Sequence, residues 1–141
     1  MLLISLTSVS RRLPVNVTQV SSFPYCDDVL DAEVSLLDLP TVADKLGISV
    51  TRVHQLLREH QLLAIKRNRV VGVPAAFFGA DGNVLKQLPG LIAVLRDGGY
   101  TEGEIVRWMF TEDDSLPGMP IEALHGHLAR EVLRRAQAMA F

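Results

Sequence analysis

Two helix starts and one helix stop fall between Asp38 and Glu59, and no other feature limits the possible folds of this chain as much. Asp38 can accept first-turn N–H groups that a helix leaves unpaired, so it is an N-cap. Pro40 sits in that first turn, where its missing N–H costs least. Leu39, Val42, Ala43 and Leu46 then supply an apolar stripe. Gly47 ends the helix, because the residue after a helix often needs positive φ. Ser49 caps a second helix that runs to about Glu59. The pattern over 37–60 is therefore two short helices meeting at a tight corner.

The second helix is amphipathic when wound at about 100° per residue. Val50, Val53, Leu56 and Leu57 share one face. Thr51, Gln55 and Arg58 lie opposite, flanked by Arg52 and His54, so the outward face is polar and basic. Beyond it, Leu62–Ile65 and Val70–Pro74 are apolar, β-branched runs either side of Lys66-Arg67-Asn68-Arg69. That spacing predicts a hairpin whose turn carries three cations. Ala75–Phe78 reads as one helical turn and Gly79–Asn83 as a further turn.

Charge is distributed unevenly. The whole chain has 14 basic and 16 acidic residues, a net charge of −2, which excludes bulk attraction to nucleic acid or to an anionic membrane. Residues 44–69 nevertheless hold six cations against Asp44 and Glu59, a local +4. The cations coincide with the helix pair and the hairpin, the local footprint of a nucleic-acid binder.

Either side of this region the chain changes character. Residues 1–25 are rich in Ser, Val and Thr, show no sustained period, and read as a flexible tail. The acidic stretch Cys26–Asp31 leads into the folded part. Residues 85–141 look all-helical: Pro89–Asp97 stops at Gly98-Gly99, Thr101 and Glu104 form a capping box, and Pro120 opens a helix to about Ala140. The organisation expected is a tail (1–25), a helix-pair and hairpin unit (26–84), and a helical region (85–141) packed on it. With one cysteine, no disulfide can form within the chain. No apolar run approaches the ~18–20 residues of a spanning helix and the N-terminus makes a poor signal peptide, so a cytoplasmic protein is expected.

The segment Leu37–Val53 resembles a helix-turn-helix. Ala43 is small enough for the helices to cross closely, Gly47 turns the chain, and Ile48 and Val53 plug the angle between the helices. Ile65–Pro74 resembles the wing of excisionase-like and MerR-like winged helices. Over roughly residues 20–141 the chain is similar to a family of small actinobacterial winged-helix DNA-binding proteins. Leu88-Pro89-Gly90-Leu91, Asp97-Gly98-Gly99-Tyr100, Arg107-Trp108-Met109-Phe110, Ile121–His125 and the Arg-rich last helix carry that likeness. The fold implied is mainly α with a small β-hairpin wing, a winged helix-turn-helix followed by a C-terminal helical subdomain. The partner implied is double-stranded DNA, with Ser49, Thr51, Arg52, Gln55, Arg58, Lys66, Arg67 and Arg69 as contacts. The resemblance also implies a Ser/Thr protein kinase acting on a threonine of the tail, where Thr7 and Thr18 are available.

Other chemistry finds little support. His125 and His127 point about 200° apart on a helix and cannot share a metal. His54 and His60 also diverge, so surface roles are expected for all four histidines and no metal or cofactor is expected. Cys26 has no adjacent His to activate it. Gly79-Ala80-Asp81-Gly82 lacks the Lys-Ser/Thr ending of a phosphate loop. With no nucleophile–base pair, an enzyme is not expected. Trp108 and Phe110 read as core residues. The competing reading is an interaction module using the C-terminal helices, because Pro120–Leu124 after an aromatic helix resembles a toxin-neutralising antitoxin domain. One helix-turn-helix per chain usually reads a symmetric site as a dimer, yet no heptad seam is visible.

Overall fold

The computed structural model describes residues 24–140. Most of the tail, with Thr7 and Thr18, lies outside the described residues. Strands β1 (Cys26–Asp27) and β2 (Leu36–Asp38) precede helices α1 (Leu39–Leu46) and α2 (Val50–Arg58). The hairpin β3 (Ile65–Arg67) and β4 (Val70–Pro74) follows, then a single 3₁₀ turn over Ala75–Phe77. Helices α3 (Leu88–Asp97), α4 (Glu102–Met109), α5 (Pro120–Leu124) and α6 (Ala129–Ala140) complete the order. Among the described residues no helix is long and apolar enough to cross a membrane.

The signals at the helix ends act as expected. Asp38 Oδ1 accepts from the Thr41 N–H at 2.9 Å, and Ser49 Oγ accepts from the Arg52 N–H at 3.1 Å. Gly47 has φ 69°, which lets its N–H turn back onto the Ala43 and Asp44 carbonyls. Thr101 and Glu104 close a reciprocal capping box at the start of α4.

The sheet is larger than the hairpin the sequence predicts. Its order is β1-β3-β4-β2, with β1 parallel to β3 and the other pairs antiparallel. The acidic lead-in therefore contributes an edge strand, and Leu36–Asp38 the opposite edge. Strands of two and three residues are too short to show a period. The hairpin itself is shorter than predicted. Leu62, Leu63 and Ala64 are buried but lie ahead of β3, and Lys66 and Arg67 belong to the strand. Only Asn68 and Arg69 make the turn, with φ 51° and 69°. Two left-handed residues in a two-residue loop follow the twist of the flanking strands.

The expected single helix from Pro120 to Ala140 is two helices. Gly126 lies in the break, and the His125 imidazole Nε2 is 2.6 Å from the Ala76 carbonyl oxygen. That bond fastens the end of α5 to the 3₁₀ turn. His60 also differs from its expected surface role. It is left-handed at φ 59°, and its Nδ1 is out of reach of water, 3.5 Å from Glu102 Oε2 on α4.

One continuous apolar core joins the two halves. Val42, Val53 and Leu57 from the helix pair, Ile65 and Val73 from the sheet, and Leu91, Ile105 and Val132 from the later helices are all fully buried. Truncating Leu57 to Ala would cost about 2–5 kcal/mol in transfer and cavity terms. Trp108 and Phe110 pack on this core while remaining half-buried, with the Phe110 ring 6.1 Å from Phe77. Helix α6 lies against α3 so closely that a Cβ on Gly98 would sit 2.8 Å from Ala140 Cα.

Candidate nucleic-acid interface

The corner between α1 and α2 decides which way α2 faces. Val42 and Ala43 of α1 and Val53 and Leu57 of α2 are buried, and the small Ala43 side chain leaves room for the crossing. Turning that face inward leaves Ser49, Thr51, Arg52, Gln55 and Arg58 exposed, with His54 half-buried. The first turn of α2 carries no acid. Its dipole and its leading N–H groups therefore offer an anion an uncontested site, and the helix provides no acceptor for the Val50 and Thr51 N–H groups. Ser49 Oγ is taken as a cap acceptor, but its own proton remains to donate to a phosphate. Gln55 Nε2 donates to Glu59 Oε2 at 2.9 Å, a contact it must exchange to read a base.

In the hairpin only some of the cations are exposed. Lys66 and Arg69 are exposed, as is Val70 beside the turn. Arg67 is turned the other way. Its Nε donates to Asp28 Oδ2 at 2.6 Å and its Nη2 to Asp28 Oδ1 at 3.2 Å. The same guanidinium donates to the Val34 carbonyl at 2.8 Å and the Asp31 carbonyl at 3.0 Å. Its planar fork is thus committed to the loop between β1 and β2, a use lysine could not reproduce. The hydrogen bond from Arg67 holds the Asp28 carboxyl below the usual carboxylate range, against a smaller opposing effect of burial. The same bond pushes Arg67 up. The sequence groups Lys66, Arg67 and Arg69 as one contact set, and the structure separates Arg67 from the other two.

Asp28, with the Asp31 and Val34 carbonyls, is the structural partner that sequence reasoning missed. The available signal was an acidic run placed one strand away from a basic one. Cys26 is half-buried, and burial, with Glu102 and Asp27 nearby, pushes its thiol up to about 11. That shift favours the protonated thiol at neutral pH, the less reactive form.

A capped helix pair, a second helix with an exposed basic face, a hairpin with a two-residue turn and a helical extension define a winged helix-turn-helix with C-terminal helices. The chain belongs to the Rv2175c family. Residues 22–78 match the family described as DNA-binding protein Rv2175c, wHTH domain, and residues 85–140 match the Rv2175c C-terminal domain of unknown function. The chain is 47% identical over 137 residues to the DNA-binding protein Rv2175c of Mycobacterium tuberculosis, covering 89% of this chain and 94% of that protein. It also resembles the NMR structure of Rv2175c, with a TM-score of 0.79 and 48% identity over 85% of this chain and 90% of that one.

Proposed function

We propose that the chain is a non-enzymatic, cytoplasmic transcriptional regulator that binds double-stranded DNA, with α2 in the major groove and the β3–β4 hairpin along the neighbouring minor groove. The observation that carries this reading is the exposure of Arg52, Arg58, Lys66 and Arg69 on a helix pair and hairpin whose second helix starts free of acids. The mycobacterial relative, named a DNA-binding protein, supports it. Thr51, Arg52 and Gln55 take the base edges, where a good bidentate pair is worth about 1–3 kcal/mol of discrimination. Ser49, Arg58, Lys66 and Arg69 take phosphates. The aromatic side chains of the C-terminal helices pack on the core, so no comparable observation favours a partner-binding module there.

The test is a duplex titration over a range of salt. If the three cations assigned to phosphates are all engaged, affinity falls about 40-fold between about 50 and 200 mM salt. A Lys66→Ala/Arg69→Ala variant binds more weakly, with a flatter slope. Absence of binding at low salt refutes the reading. An Arg52→Ala variant with unchanged sequence preference removes Arg52 from the base contacts.

The family resemblance also supports a switch in the tail, in which a Ser/Thr kinase modifies Thr7 or Thr18. A phosphothreonine carries about −1.5 to −2 charges. That charge would compete with DNA phosphate for the hairpin cations. Glutamate at both threonines that leaves affinity unchanged refutes the switch.

A further inference from the structure

We propose that Val50 reads the C5-methyl group of one thymine in the DNA site. The proposal deepens the reading that α2 enters the major groove, and rests on it. Thr51, Arg52 and Gln55, the residues assigned to base edges, recognise by hydrogen bonds. Val50 adds an apolar contact from the same helix.

The sequence puts Val50 on the apolar face of α2 with Val53, Leu56 and Leu57. The structure divides that face. Val53 and Leu57 are fully buried and Leu56 is half-buried against the core, whereas Val50 is 37% exposed. Helix formation does not explain a valine there either, because a β-branched residue is a weaker helix former than alanine. What sets Val50 apart is its position. It is the first residue of α2, next to the Ser49 cap, in a turn that carries no acid to repel a duplex. A helix docked in a major groove brings its N-terminal residues to the base edges. Val50 lies in that first turn between Ser49 and Thr51, both exposed.

Its side chain has no donor or acceptor, so it cannot read the hydrogen-bonding groups of a base. The apolar feature on the major-groove edges of the four bases is the thymine C5-methyl, and an apolar side chain recognises it by contact. Valine is suited to this because a β-branched residue in a helix holds one χ1 rotamer about 90% of the time. Its two methyl groups are therefore presented with little rotamer freedom left to lose on binding.

The wild-type protein first selects its site from a pool of random duplexes. Each thymine of that site is then replaced in turn by deoxyuridine, which keeps every hydrogen-bonding group and lacks only the methyl. At one position the replacement is expected to weaken wild-type binding about 4-fold, the worth of one buried methyl group. Val50→Ala should bind the thymine duplex about 4-fold more weakly and lose less than about 2-fold on the same replacement, because the methyl has already lost its partner. The salt slope should stay at the wild-type value, since an apolar contact releases no counterion. Val50 lies outside the core cluster and alanine is the better helix former, so Val50→Ala should melt close to the wild type. The deoxyuridine series on the wild-type protein needs no variant at all. Wild-type binding that tolerates deoxyuridine at every thymine overturns the proposal, as does an equal loss in Val50→Ala. Binding without sequence preference overturns it too. A wild-type protein that binds no duplex at low salt refutes the placement of α2 itself, and the proposal falls with it.

Discussion

Replacing Arg67 with alanine removes a guanidinium that makes four hydrogen bonds, two to the Asp28 carboxylate and one each to the Asp31 and Val34 carbonyls. The side chain is only 19% exposed, so the loop loses contacts that water does not fully replace. A charge-assisted bond of this kind is worth about 1.5–3 kcal/mol, and the partial exposure of Asp28 lowers the total, giving a loss of about 2 kcal/mol. For a chain of this length that is a fall in Tm of about 7 °C. Arg67→Lys keeps the charge but not the fork, and should recover little of the loss. The informative assay pairs thermal melts with DNA titrations across salt concentration. If Arg67 serves the fold, both variants lose stability while the salt slope stays at the wild-type value. If Arg67→Ala melts like the wild type and its slope is flatter by about 0.9, the arginine touches phosphate and the structural assignment is wrong.

Arg69 has φ 69° at a turn position that glycine fills without strain. Arg69→Gly should raise stability by about 0.5 kcal/mol, after subtracting the extra freedom glycine gives the unfolded chain, while weakening DNA binding; a melt and a titration of the same sample check both signs. The Asp28 carboxyl is lowered by Arg67, so its contribution is fully present above its unfolded value and disappears as pH falls through the folded one. Stability of the wild type should therefore drop further than that of Asp28→Asn between neutral pH and the acid range below about pH 4, as read from denaturant midpoints. A Gly98→Ala methyl would meet Ala140, and should cost about 1–3 kcal/mol in a chemical melt without changing the salt slope.

Capping chemistry made the helix pair legible before any coordinates. Asp38, Gly47, Ser49 and Thr101 act through neighbours three or four residues away, so their partners lie within the same short stretch of sequence. The hairpin was legible as apolar runs around a polar turn, and the outward face of α2 as a period of 3.6. What the sequence hid depends on distant partners. Arg67 reads like its neighbours Lys66 and Arg69, and only the loop 33 to 39 residues upstream turns it inward. Strand β1 was invisible because two residues have no period and its partner lies 39 positions away. At the break over 125–128, His125 likewise meets a distant partner, the Ala76 carbonyl 49 positions upstream.

These distant contacts also bear on why the DNA-facing half carries the C-terminal helices. By itself, a segment of about 60 residues would bury only about 60% of the surface its unfolded chain exposes and be marginally stable. Phe77, fully buried, stacks at a tilt on Phe110 of the α4 end, and the carbonyl beside it receives His125. At the other end of the unit, the residue that follows α2 and its cap, His60, reaches Glu102, which also pairs with Arg96 at 3.5 Å. The later helices thus brace the sheet behind the hairpin and the C-terminal end of α2, the two elements that must hold fixed positions for a duplex to meet both at once. Rigidity there would limit the ordering that binding requires, and that is the contribution to affinity the proposed interface gives these helices.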